Sequence, residues 1–192
     1  LFNDYAKNDA RIQLFRGPKL GLYPGWNAAI ERATSEFVYI ATSDDTMSPD
    51  FLEKTVSALM RHPHCDIAHC DLEVIGETGR TVAGWWRTES PFAVSSKGLK
   101  ESEHIRYAPV NGFLHLTGSS VNVSITQLLI RKSLFDRVGL FDTRWGGVGD
   151  FNWNMRAGFV SNTVHVPGLV GGWRVHPAQA TSSAAIGTRA HW

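Results

Sequence analysis

Residues 37–49 constrain this chain more than any other stretch. The apolar run Phe37-Val38-Tyr39-Ile40-Ala41 passes through Thr42 and Ser43 into two adjacent carboxylates, Asp44 and Asp45, and then into Thr46-Met47-Ser48-Pro49 at a helix start. A short apolar run rich in aromatic and β-branched residues reads as a buried strand over 37–42. Its exposed tip then carries two like charges that repel, an arrangement easiest to hold where a divalent cation or several hydrogen-bond donors offset them. The competing explanation is local: carboxylates just before a helix satisfy its free N–H groups and complement its dipole. Both explanations stand on these residues alone.

The flanking pattern favours chemistry at that tip. Leu1, Phe2, Tyr5 and Ala6 fall at helical spacing, so the chain reads as starting within a helix, and residues 11–15 alternate like a strand. Pro24 suits a first helical position, with Trp26, Ala29, Ile30 and Ala33 on one face behind it. After the carboxylates, Ser48 as N-cap and Pro49 open a helix whose apolar face is Phe51, Leu52, Val56, Leu59 and Met60. Residues 66–71 read as the next strand, and 72–83 as a hairpin turning at Glu77, Thr78 and Gly79. Strands alternating with helices predict an α/β fold with a mainly parallel sheet, whose ligands gather at the carboxyl ends of the strands. Asp44 and Asp45 lie at such an end.

Residues 84–122 are irregular, and Trp85, Trp86, Phe92, Tyr107 and Phe113 there supply either sugar-stacking faces or a small core. Regular pattern returns with a strand at 126–131 and a helix at 133–138 that Gly139 ends. Gly146, Gly147 and Gly149 lead to Asp150 at a helix N-terminus, where its local role would be a cap. A strand at 162–166 follows, then a segment over 168–176 that closes on Trp173-Arg174-Val175-His176.

Composition narrows the classes. At 192 residues the chain fits a single domain. A formal charge of +1 gives no reason to expect a nucleic acid partner. No run approaches the roughly 18 to 20 apolar residues of a membrane span, and no signal-peptide pattern opens the sequence. Two cysteines, Cys65 and Cys70, suit a reducing compartment, so a cytoplasmic location is expected. His62, His64, Cys65, His69 and Cys70 match no zinc-ligand spacing.

Several separated motifs then fall into a known order. Gly21 followed by Asn27, the Ser43-Asp44-Asp45 tip, Arg131-Lys132-Ser133-Leu134-Phe135 with Val138-Gly139-Leu140-Phe141-Asp142, Gly149-Asp150, and Arg174-Val175-His176 together resemble the family 2 glycosyltransferases of the GT-A fold. The resemblance covers nearly the whole chain, and the surroundings of Asp44 and Asp150 are most similar to the SpsA-type branch of bacterial sugar transferases. It implies a Rossmann-like, mixed but mainly parallel sheet flanked by helices, in one domain with a donor- and metal-binding part (1–83), an acceptor-binding and catalytic part (84–176) and a tail (177–192). It also implies an N-terminally incomplete unit, because family members open with a strand, a helix and a second acidic strand; a fragment of a longer transferase is expected, with any peripheral membrane contact confined to absent segments.

What the resemblance implies chemically is an inverting, metal-dependent transfer from a nucleotide diphosphate sugar, a UDP-sugar being the expected donor, to a carbohydrate or glycoconjugate hydroxyl in bacterial polysaccharide or glycoconjugate synthesis. Asp45 would hold Mg²⁺ or Mn²⁺ on the donor phosphates, with His176 approaching the same metal. Asp44, Asn27 and Arg174 would contact the donor, and Asp150 would be the general base. Two departures stand out: Trp26 occupies a position that is often Arg in the family, and Thr42 is neutral where some members carry an acid. Other readings are a non-catalytic carbohydrate- or nucleotide-binding module of the same fold, and a nucleotidyltransferase.

Overall fold

The structure is a computed structural model describing residues 2–83, 98–117 and 122–177. Leu1, Trp85, Trp86, Phe92 and the tail beyond residue 177 lie outside the described residues. The first half comprises α1 (Phe2–Asn8), α2 (Leu22–Arg32), β1 (Phe37–Tyr39), β2 (Thr46–Met47), α3 (Phe51–Arg61), β3 (Cys65–Ile75) and β4 (Thr81–Ala83). The second half comprises β5 (His104–Arg106), α4 (Val110–Leu116), a 3-10 turn at Ile125–Gln127, β6 (Leu128–Arg131), α5 (Ser133–Val138), a 3-10 helix at Thr143–Val148, α6 (Gly149–Val160) and β7 (Asn162–Arg174).

The strands form one mixed sheet in the order β1-β6-β3-β7-β2, with β4 added to β3 and β5 to β7. Period-two alternation in β6 divides the core between the two faces. Leu128 and Ile130 join Tyr23, Ile30, Val38, Leu134 and Trp153 beneath α2, α5 and α6, whereas Leu129 joins Phe51, Leu59, Cys70 and Val164 beneath α3. Each such side chain contributes roughly 1.5–3 kcal/mol by leaving water. Trp153 is fully buried and keeps its indole N–H satisfied by donating to Gly139 O at 2.8 Å, where α5 has just ended.

The sheet is less parallel than the alternation of elements predicts. The β3–β7 ladder is parallel, but β6 runs antiparallel between β1 and β3, and β2 runs antiparallel on β7. Sequence alternation signals which elements exist and is silent on where a later strand inserts. Residues 11–15 form no strand. Asp9 turns the chain there, accepting Arg11 N at 2.9 Å on Oδ1 and Ile12 N at 3.0 Å on its carbonyl, and Phe15 stays exposed with Arg32 over its ring. Helix α2 begins at Leu22, two residues before Pro24, and Asp50 rather than Ser48 flanks α3. The two segments expected at 162–166 and 168–176 are one bulged strand: His69 pairs with His165 and Asp71 already with Val170, the extra residues including Pro167, which has no N–H to give to a ladder. The hairpin of β3 and β4 closes with Gly76 N donating to Arg80 O at 2.9 Å. Among the described residues no helix is long and apolar enough to cross a membrane. Tyr107 and Phe113 are mostly exposed, Tyr107 stacked on His64 and Phe113 edge-on to Phe159.

At the far side of the β3–β7 ladder, partly buried Arg106 donates to Nε2 of His69 and, at 3.0 Å, to Nε2 of His104. Those two acceptances fix the tautomers. His69 then carries its proton on Nδ1 and donates to His165 Nδ1 at 3.1 Å, and His165 Nε2–H donates to Lys100 O at 2.8 Å. His104 Nδ1–H donates to Ser102 O at 3.0 Å. Burial and the Arg106 charge hold His69 well below the usual imidazole range; burial lowers His165, with Asp71 acting in the opposite sense, and burial lowers His115. Because these folded-state values are depressed, the unfolded chain binds more protons in acid, and the stability present above an ordinary imidazole pKa of about 6.5 is lost as pH falls below it. Thermal unfolding between pH 7.5 and 5.5 is expected to show Tm falling on acidification. Each excluded proton adds a slope of about 1.4 kcal/mol per pH unit, and His165→Gln makes the dependence shallower.

Candidate active site

The chain leaves β1 at Tyr39 and runs through Ile40 to Ser43 into the two carboxylates, which β2 then fixes against the end of β7. The approach is close: Thr46 pairs with Gly172, where a Cβ would stand 2.3 Å from Thr46 Oγ1. A side chain at 172 would make the exposed Thr46 hydroxyl turn aside. Asp45 is caged. Its Oδ2 accepts the hydroxyls of Thr42 at 2.7 Å, Thr126 at 2.9 Å and, at a longer 3.5 Å, Ser124, while Oδ1 accepts the backbone N–H of Arg174 at 2.9 Å.

Arg174 ties this loop to the hairpin. Its Nε donates to Asp44 O at 2.7 Å, and its Nη1 to Gly76 O at 2.8 Å and Glu77 O at 3.1 Å. Asp44 turns its carboxylate the other way, Oδ2 lying 3.1 Å from His176 Nε2, and its side chain remains 39 % exposed.

Asp150 stands in the first turn of α6 behind the N-cap residue Val148, and its side chain meets one of the free N–H groups of that turn. Oδ1 accepts the N–H of its own neighbour Phe151 at 2.8 Å and the phenol of Tyr23 at 3.0 Å. Burial raises its pKa above the usual carboxylate value, and these hydrogen bonds oppose the rise. Tyr23 reaches it because residue 149 is glycine: a Cβ there would stand 2.7 Å from the Tyr23 ring.

Asp44, Asp45, Asp150 and His176 line one cavity of about 850 Å³, within the range of small-molecule sites. Thr42, Ser43 and Ser124 give it a polar wall, and Leu20, Leu22, Trp26 and Trp173 an apolar one. Asn27 is not in that lining. Its amide clamps the Phe141 backbone, donating to O at 2.8 Å and accepting N–H at 3.0 Å. Arg174 likewise spends its guanidinium on main-chain carbonyls behind the wall. Sequence reasoning missed Tyr23, Ser124, Thr126 and Gly172. For Tyr23 a signal existed: with the helix begun after Gly21, it shares the face of Trp26 and Ile30 at i, i+3 and i+7. Among the described residues no group of three or more His, Cys, Asp or Glu is arranged to hold a metal ion.

A mixed sheet with carboxylates in the loop after a strand and a second acid at a helix start defines a GT-A-type fold, and the comparisons agree. The model of glycosyl transferase family 2 matches residues 1–137, and the chain belongs to that family. The match ends before Asp150, Arg174 and His176. Solved structures of S. aureus TarS 1–349 share the fold: one has a TM-score of 0.59 at 17% identity, covering 83% of this chain and 42% of that one. A complex of the same protein with UDP-GlcNAc has a TM-score of 0.59 at 18% identity, covering 85% and 41%, and a complex with UDP 0.52 at 19%, covering 79% and 39%. The chain thus spans about two fifths of the length of these structures. No curated protein matches its sequence.

The two neighbouring acids are expected to separate in a stability measurement. Asp45→Ala leaves the buried Thr126 hydroxyl, Thr42 and the Arg174 N–H without their acceptor and should cost about 1–3 kcal/mol in denaturant unfolding. Asp44→Ala removes an exposed contact and should cost less than about 1 kcal/mol.

Proposed function

We propose that this chain carries the catalytic cavity of an inverting, metal-dependent glycosyltransferase that moves a sugar from a nucleotide diphosphate donor, a UDP-sugar, to a hydroxyl of a carbohydrate or glycoconjugate in bacterial polysaccharide synthesis. One observation carries the reading: a contacting Asp44–His176 pair and a partly buried Asp150 open onto the same 850 Å³ space. Family membership and the UDP and UDP-GlcNAc held by the TarS structures support a nucleotide-sugar donor.

The donor set, a carboxylate beside an imidazole, fits Mn²⁺ better than Mg²⁺, whose ligands are oxygens; either cation would take further oxygens from phosphate and water. Asp44 and His176 would hold it, since both face the cavity, while the oxygens of Asp45 are committed to Thr42, Thr126 and Arg174. Asp45 in this reading braces the loop, an exchange of roles relative to the family resemblance. When bound, the cation supplies counter-charge for the departing diphosphate. Asn27 and Arg174 act behind the cavity wall, shaping it rather than touching the donor. Asp150 takes the acceptor proton as that hydroxyl attacks the anomeric carbon from the face opposite the diphosphate. A single displacement inverts the configuration there. Partial burial strengthens the carboxylate as a base by lifting its pKa toward the working pH.

Calorimetry of UDP binding is expected to show affinity that depends on Mn²⁺, and Asp44→Ala should remove that dependence; unchanged Mn²⁺-dependent binding would sink the Asp44 assignment. Asp150→Asn should leave UDP affinity within about twofold and lower turnover by about 10²- to 10⁴-fold, and normal turnover would eliminate Asp150 as base.

A further inference from the structure

We infer that Tyr23 is the positioning residue for Asp150, holding Oδ1 together with the Phe151 N–H so that Oδ2 is the oxygen that meets the acceptor hydroxyl. The inference rests on Asp150 being the base. Among the described residues the hydrogen bonds that reach this carboxylate from other residues both fall on Oδ1, Phe151 N at 2.8 Å and Tyr23 OH at 3.0 Å. The carboxylate plane is therefore set from behind, and its second oxygen is the one turned to accept a proton.

The phenol has one proton and two acceptors within reach, Asp150 Oδ1 and, at 3.3 Å, Gly147 O. Against an ionised carboxylate the charge-assisted bond to Oδ1 is the stronger. Once Oδ2 has taken the acceptor's proton, Oδ1 is a carbonyl oxygen, and the O–H can turn to Gly147 O without moving the ring. Tyr23 thus favours the base over its conjugate acid and keeps Asp150 ionised in a partly desolvated setting. It gives up no proton itself, because burial and the Asp150 charge push the phenol well above its ordinary pKa. The proton balance is simple: the acceptor's hydrogen passes to Oδ2, and the O–H bond of Tyr23 is intact before and after. Tyr23 is the titratable side chain bearing directly on Asp150; Asp44, Asp45 and His176 line the same cavity.

The ring is placed by packing. It is stacked on Phe141 at 5.7 Å and meets Trp26 edge-on at 5.4 Å, and Asn27 clamps the Phe141 backbone from the other side. Asn27, singled out by the family motif, thereby acts on Asp150 through Phe141 and Tyr23.

The test is the carboxyl-carbon NMR titration of Asp150 in the full chain, its resonance assigned by loss in Asp150→Asn, comparing wild type with Tyr23→Phe. The variant keeps the ring, and an unchanged Tm confirms folding. Its Asp150 midpoint is expected to move to higher pH by about 1; an unmoved midpoint overturns the inference. With Mn²⁺ and UDP-GlcNAc as probe, the acid limb of kcat/KM for UDP release should move up likewise. At pH values below that limb kcat should be lowered about tenfold, and KM for UDP-GlcNAc should stay within about twofold. A uniform loss of rate with the limb in place marks a structural residue and also overturns it. Gly149→Ala, which displaces the ring while keeping the hydroxyl, should reproduce the shift. Normal turnover of Asp150→Asn would remove the base reading on separate grounds, leaving the NMR result to report on the hydrogen bond alone.

Discussion

The cage around Asp45 is the joint on which this site is assembled. Its two oxygens draw donors from the β1 exit at Thr42, from the 3-10 turn at Ser124 and Thr126, and from the end of β7 at Arg174. Three segments far apart in sequence are thus held to one carboxylate. Hydrogen bonds to a charged acceptor are each stronger than neutral ones, and their loss leaves partners without an acceptor, so the cage resists partial opening. Arg174 extends the joint to the hairpin turn through Gly76 and Glu77. With Asp45 so occupied, Asp44 is directed toward His176 and the cavity.

The three acids illustrate how environment assigns work to identical side chains. Asp45 is surrounded by donors, Asp44 faces solvent and an imidazole, and Asp150 sits in a partly desolvated niche. Burial makes Asp150 less comfortable as an anion, which suits the general base proposed there. Asp45 is instead met by hydroxyls and a main-chain N–H.

Much of this was legible in the sequence, for physical reasons that can be named. The apolar run before Asp44-Asp45 announced a strand, but β1 stops at Tyr39 as an antiparallel strand at the end of the sheet order, and the acids follow in the loop rather than at its tip. Gly149-Asp150 announced a helix start, and the hairpin at Gly76–Gly79 followed from turn chemistry. The antiparallel insertion of β6 was not legible, because strand order is decided by long-range packing that no local pattern encodes. Nor was the division between Asp44 and Asp45. That depends on Thr126 and Arg174, 81 and 129 residues away from Asp45. Asn27 was marked as a donor contact, but its amide is held by the Phe141 backbone 114 residues on, and a motif records the residue without the contact.

The pairing of Thr46 with Gly172 has a further consequence for anyone wishing to redirect this scaffold. A Cβ at residue 172 would stand 2.3 Å from Thr46 Oγ1 and 3.2 Å from Ile75 Cδ1, at the edge where β2 joins β7 directly after the acids. Leu20, Leu22, Trp26 and Trp173 form the cavity's apolar wall and take no part in the Asp45 cage. Exchange at Leu20, Leu22 or Trp173 would therefore reshape the cavity's apolar wall without touching the cage, whereas Trp26 is tied to Tyr23 and a methyl group at 172 is felt first by the Thr46 hydroxyl beside the acids.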